Sequence, residues 1–126
     1  MNDNKQNALS LIPKVEQYVE YMLNVIIKLP RTEKFSIGNE YKISMYKLIE
    51  KTLYLNKNLN TYRNFELLNE IDVLLNCQKI YLRIMYKNYW IDDRKQKIAM
   101  EKIYEIGKII GGLLKYYAQN NKKRIW

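Results

Sequence analysis

The sequence predicts an all-α protein, an up-down-up-down antiparallel four-helix bundle. Three observations predict it. Apolar residues recur at alternating steps of three and four along most of the chain, polar segments interrupt that rhythm three times, and no stretch alternates as a half-buried strand would. At 126 residues, 48% apolar and 28% charged, the chain has the length and balance of one globular domain with one core.

The first helix is predicted over roughly 8–28, with Leu11, Val15, Tyr18, Met22, Val25 and Leu29 on one face. The segment LPRTE ends it. Pro30 disfavours a helical conformation at Leu29, Thr32 is positioned as an N-cap, and Glu33 would sit in a first turn where the helix dipole favours negative charge. The second helix, roughly 33–57, turns Ile37, Tyr41, Ser44, Leu48, Thr52 and Leu55 inward and stops at the polar NKNLN around Asn58. The third, roughly 61–89, carries Leu68, Ile71, Leu75, Leu82, Met85 and Tyr89 around Gln78. Asp92 and Asp93 suit the start of a fourth helix over roughly 93–119, with Ala99, Ile103, Ile106, Ile110, Leu113 and Tyr117 inward. Helices about 30 to 43 Å long, joined by short loops, stack antiparallel. NNKKRIW, with Lys122, Lys123 and Arg124, follows as a short basic arm, or as a frayed and solvated end.

The third helix has more apolar surface than one bundle requires. At about 100° per residue, Val73, Cys77, Ile80 and Ile84 gather on the side opposite Leu68, Leu75 and Leu82. Either this helix is central within its own bundle, or the second face is a subunit interface; the expectation adopted is the interface. Between the two faces Lys79, Arg83 and Lys87 form a basic stripe at i, i+4 and i+8.

The fourth helix raises a different question, because EIGKIIGGLLKYY places Gly107, Gly111 and Gly112 in its interior. Each glycine costs a helix about 1 kcal/mol relative to alanine, so close helix packing is expected to offset the loss. Gly107 and Gly111 share a flank with Met100 and Ala118, where another helix, of the same or a neighbouring subunit, would approach; Gly112 lies elsewhere. The surrounding Lys102, Glu105, Lys108 and Lys115 argue against a membrane helix pair, and the absence of a preceding strand and turn argues against a phosphate-binding loop.

A formal charge of +9, from 22 Lys and Arg against 13 Asp and Glu, points to an anionic partner. RNA or DNA fits best, although a membrane surface, an acidic protein face or a simple need for solubility also accommodates such charge. The residues expected to bind nucleic acid are Lys79, Arg83 and Lys87, then Lys47 and Lys51 on the second helix, then Lys122, Lys123 and Arg124. Tyr86, beside the basic stripe, is placed to stack on an unpaired base.

Catalytic chemistry finds little support. There is no histidine, which removes the commonest general base and the Glu-x-x-His pairs of di-iron bundles. The carboxylate pairs Glu16 with Glu20, Glu66 with Glu70, and Glu101 with Glu105 fall outside the inward stripes and read as surface charge. Cys77 has neither a histidine nor a second cysteine to work with. No enzyme activity, metal or cofactor is expected. No apolar run approaches the ~20 residues of a membrane span and MNDNKQN is unlike a signal peptide, so a cytoplasmic protein is expected.

Two segments carry a family resemblance. LPRTEKFSIG, Leu29 to Gly38, resembles the loop and helix start of a bacterial four-helix-bundle superfamily that includes proteins encoded by intervening sequences of ribosomal RNA genes. EIGKIIGGLLK, Glu105 to Lys115, is similar to the Glu-Ile-Gly-x-x-Leu-Gly-Gly-Trp segment of the accessory variability determinant (Avd) proteins of diversity-generating retroelements, with Ile110 for the usual Leu and Leu113 for the common Trp. The second resemblance implies a barrel-like homopentamer with a basic surface and no catalysis of its own. It would serve as the obligatory partner of a reverse transcriptase that copies a template RNA into error-containing cDNA for mutagenic retrohoming. The alternatives are a general nucleic-acid-binding bundle of the intervening-sequence type and a purely structural oligomer.

Overall fold

In a computed structural model, residues 2–57 and 61–125 are described, with side chains at 10–55, 57 and 62–119. They form α1 (Asn2–Ile26), a one-turn α2 (Arg31–Lys34), α3 (Ile37–Lys57), α4 (Thr61–Lys87) and α5 (Asp93–Ile125). Neighbours in sequence are neighbours in space: α1 packs on α3, α3 on α4 and α4 on α5, and α5 closes the bundle against α1. No strand occurs among the described residues, and none of their helices is long and apolar enough to cross a membrane.

The predicted stripes meet in one core. Leu11, Val15, Tyr18, Met22, Val25 and Leu29 are all buried, as are Tyr41, Leu48 and Leu55 from α3. Leu68, Ile71, Leu75, Leu82 and Met85 of α4 oppose Ala99, Ile103, Ile106, Ile110 and Leu113 of α5. Removing each such aliphatic side chain from water stabilises the fold by about 1.5–3 kcal/mol, which is why the spacing of these residues determines where each helix faces.

At the core's centre is a chain of hydrogen bonds. Tyr18 and Tyr41 hydroxyls lie 2.5 Å apart, Tyr18 donates to Gln78 Oε1 at 2.6 Å, and Gln78 Nε2 donates to Ser44 Oγ at 2.9 Å. Since the Tyr18 proton goes to Gln78, Tyr41 donates to Tyr18. Thr52 satisfies its buried hydroxyl within its own helix by donating to the Leu48 carbonyl at 2.7 Å.

The connections correct the sequence reading in three places. First, Thr32 is not an N-cap: it lies inside α2, whose N-cap is Pro30 without a side-chain bond, and the Thr32 carbonyl accepts from Ser36 Oγ at 2.9 Å. The second predicted helix is thus split by Phe35 and Ser36. Its re-entry requires Gly38. A Cβ there would meet Ile26 Cγ2 at 3.0 Å, the Glu33 carbonyl oxygen at 3.2 Å and Leu29 Cδ1 at 3.4 Å, and the carbonyl belongs to backbone that cannot easily give way.

Second, Tyr89 does not join the core. It is 93% exposed with φ of 62°, in the left-handed region. Trp90 N–H donates to the Met85 carbonyl at 2.9 Å and Tyr89 N–H to the Tyr86 carbonyl at 3.0 Å, the paired bonds of a Schellman cap in which the left-handed residue is normally glycine. The helix therefore stops at Lys87 rather than 89. Asp92 then caps α5 by accepting from the Lys95 N–H at 2.8 Å.

Third, the backbone of α5 continues past 119 through Lys122, Lys123 and Arg124 to Ile125, so the basic segment extends a helix rather than forming a separate arm. The side chains of those three residues lie outside the described ones.

Candidate nucleic-acid and subunit interfaces

Helix α4 presents three surfaces, because core packing occupies only one side of it. Its outward apolar stripe has no partner within the chain: Val73 is 66% exposed, Ile80 51% and Ile84 40%, with Cys77 half-buried among them. The reading of α4 as simply central in its own bundle is therefore set aside. The Tyr81 hydroxyl, hydrogen-bonded with Cys77 and partly desolvated, has its pKa pushed up to about 12. Val73, Ile80 and Ile84 of the stripe carry no ionisable group.

Along the edge of this stripe nearest α5 lie Lys79, half-buried, and the exposed Arg83 and Lys87. The structure brings Lys79 into a groove between α4 and α5, about 660 Å³ in volume, together with Lys97, Met100, Glu101, Tyr104, Glu105 and Lys108. Sequence reasoning missed Lys97, Tyr104 and Lys108 as a group. Their spacing of seven and four places them on one helical face, a signal present in the sequence that becomes a site only when α4 brings Lys79 beside it. Glu105 is engaged elsewhere, 3.3 Å from Lys14 of α1.

The two α3 cations behave differently from each other. Lys47 and Lys51 both line a groove of about 670 Å³ between α3 and α4, but Lys51 is bound to Glu70 at 2.9 Å, and Glu70 also meets Arg63 at 3.2 Å. The Lys51 hydrogen bond, with the charges of Lys51 and Arg63, holds the Glu70 carboxyl below its usual range. Lys51 is thus a partnered charge rather than a free one, while Lys47 is exposed. Tyr86 is similarly committed: its hydroxyl donates to Asp93 Oδ1, a bond that fastens the end of α4 to the start of α5.

The glycine expectation needs correction for packing within the chain. A Cβ added at Gly107, Gly111 or Gly112 meets nothing within 4 Å, so none of the three makes close helix packing inside the chain. Gly107 and Gly111 leave a bare flank on α5, and Gly112 is open on another face.

On the α1/α3 side is a groove of about 200 Å³ with an apolar floor of Ile12, Val15, Val19, Ile49 and Leu53 and with Glu16 and Glu20 at its rim. It differs in sign from the basic α4 edge. No cluster of three or more histidine, cysteine or carboxylate side chains suited to a metal occurs among the described residues.

Fold and surface together define a class: a basic four-helix-bundle protein whose α4 carries an unpartnered apolar stripe beside a row of cations. Within that class, a family model described as bAvd-like matches residues 9–117, and the chain belongs to this family. The matched span contains both LPRTEKFSIG and EIGKIIGGLLK, in agreement with the resemblance to accessory variability determinants. Membership supports an accessory role of the Avd kind. A search of curated proteins finds no match.

Proposed function

We propose that the protein is the non-catalytic accessory subunit of a diversity-generating retroelement, binding the reverse transcriptase and the template RNA and supporting mutagenic cDNA synthesis and retrohoming. The observation that carries this reading is the bAvd-like match over residues 9–117. The charge of +9 and the row Lys79, Arg83 and Lys87 support the RNA-facing part of it. Each phosphate contact is weak, but copies of the row held in one assembly act at high effective concentration.

Assembly is part of the proposal, with five copies as the resemblance implies. A closed ring uses two different faces per subunit. The α4 stripe of Val73, Cys77, Ile80 and Ile84, edged by cations, supplies one. The α1/α3 groove, apolar in its floor, is complementary to the stripe in character and supplies the other, which leaves the cations at the stripe's edge for RNA.

Light scattering tests the assembly: a mass near five times 15.3 kDa is expected, and a monomer or dimer would overturn it. Face assignment is tested with Ile80→Glu and Leu53→Glu, each expected to be monomeric alone. Mixed, the two variants retain one intact face each and are expected to form a one-to-one pair; failure to pair would reject these two faces. For the RNA-facing edge, the triple change of Lys79, Arg83 and Lys87 to Glu is expected to abolish RNA and reverse-transcriptase binding in an intact oligomer. Retained binding of both would remove that edge from the proposal.

A further inference from the structure

Exposed aromatic rings on a basic protein are candidates for stacking on unpaired bases, and their surroundings distinguish the four that line grooves, Tyr54, Tyr86, Tyr89 and Tyr104. Tyr86 is tied to Asp93. Tyr89 shares its groove with Lys87 and Lys95 but equally with Asp92 and Asp93, so that groove carries no surplus of positive charge. Tyr54 lies in the α3/α4 groove, where Lys51 and Arg63 are both engaged by Glu70 and Glu50 stands beside the remaining Lys47. Tyr104 differs from all three.

Its ring is 65% exposed on the outer side of α5, and the groove it lines contains Lys79, Lys97 and Lys108. Lys108 Nζ lies 5.8 Å from the ring centroid. Of the two carboxylates in the groove, Glu105 is paired with Lys14 of α1 at 3.3 Å, leaving Glu101 without an ion pair among the described residues and with the three lysines around it. Lys97 and Lys108 are separated by about 16 Å along the helix at about 1.5 Å per residue, on either side of the ring. That span accommodates a base with the phosphates before and after it.

We propose that the α4/α5 groove is a binding site for single-stranded nucleic acid, in which an unpaired base stacks on Tyr104 while Lys79, Lys97 and Lys108 hold the flanking phosphates. The site deepens the RNA-binding role proposed above and rests on it: it directs the protein to unpaired segments of an RNA rather than to its helices. The ring supplies a π-face that any base can use, so recognition is of strand state rather than sequence. In a duplex each base face is already covered by its neighbours, so only the lysines would engage.

The experiment is fluorescence anisotropy with a labelled single-stranded RNA of mixed sequence and, separately, with an RNA duplex, at fixed low salt. The full-length protein is compared with Tyr104→Ala, Tyr104→Phe and the double change of Lys97 and Lys108 to Glu, with circular dichroism and oligomer mass as controls. Tyr104→Ala is expected to weaken single-strand binding by roughly 5- to 100-fold and duplex binding by less than about 2-fold, whereas Tyr104→Phe keeps the ring and the affinity. The Lys→Glu pair is expected to weaken both. Unchanged single-strand binding in Tyr104→Ala, or equal losses on both RNAs, would overturn the stacking site while leaving the broader RNA-binding role standing. If the unaltered protein bound neither RNA, that broader role and this site would fall together.

Discussion

Tyr18 of α1 donates a hydrogen bond to Gln78 of α4 across 2.6 Å at the centre of the bundle, and through Tyr41 and Ser44 the same chain reaches α3. Three helices are thereby held in one axial register. An apolar core alone tolerates slippage between helices, whereas a buried amide and hydroxyls with directed partners do not. Replacing Tyr18 by Phe removes the middle link and leaves the Gln78 oxygen and the Tyr41 proton without their partner. Chemical denaturation should show a loss of about 1–3 kcal/mol with the helical signal of the native state retained.

The same network sets a pH dependence. Burial, reinforced by the neighbouring phenol, raises the pKa of Tyr18 well above its ordinary 10.0, and burial also raises that of Tyr41. Both stay protonated in the folded state where the unfolded chain would already ionise. Their contribution is therefore complete below about pH 10 and is lost as pH rises beyond it. Stability measured by denaturant midpoint should be insensitive to these groups from neutral pH to about 9 and fall steeply above 10. Changing both residues to Phe should flatten that alkaline fall while lowering stability at neutral pH.

Glycines separate into two kinds. At Gly38 a methyl group would press on the Glu33 carbonyl and on Ile26, so Gly38→Ala should destabilise by about 1–3 kcal/mol through overpacking. At Gly112 the surrounding space is open, and Gly112→Ala should stabilise the isolated bundle by about 1 kcal/mol through helix propensity alone. Thermal melts of the two variants should therefore shift in opposite directions. At Gly107 and Gly111, a bulky Leu should be accommodated by the chain itself, so any loss of assembly would locate a second subunit on that flank.

Tyr89 occupies a left-handed position that suits glycine. With its ring almost fully solvated, little packing is forfeited by removing it. Tyr89→Gly should raise stability by roughly 1 kcal/mol, measured as an increased denaturant midpoint with unchanged slope.

The stripes of α1, α3, α4 and α5 were readable from the sequence because burial imposes the helical period on every apolar position, as Leu11 to Leu29 illustrate. What escaped was decided by local geometry or by pairing. Periodicity placed Tyr89 on the inner face, but two capping hydrogen bonds end the helix before it. Lys51 looked identical to Lys47 in the sequence, since nothing there brings Glu70 beside one and not the other. Gly38 drew no attention because its crowding comes from Ile26 and Glu33 across a loop, while Gly107 and Gly111 drew it for helix propensity yet contact nothing within the chain. The α4 stripe was visible as surplus apolar residues, because an exposed Val73 or Ile80 breaks the usual partition between inside and outside.

The most direct test of the account is cDNA synthesis by the retroelement's reverse transcriptase on its template RNA, with and without this protein. Template-primed cDNA that appears only when the protein is added, and that is lost with the triple change of Lys79, Arg83 and Lys87 to Glu, is the predicted result. Equal cDNA yield and error frequency in its absence would contradict the accessory role.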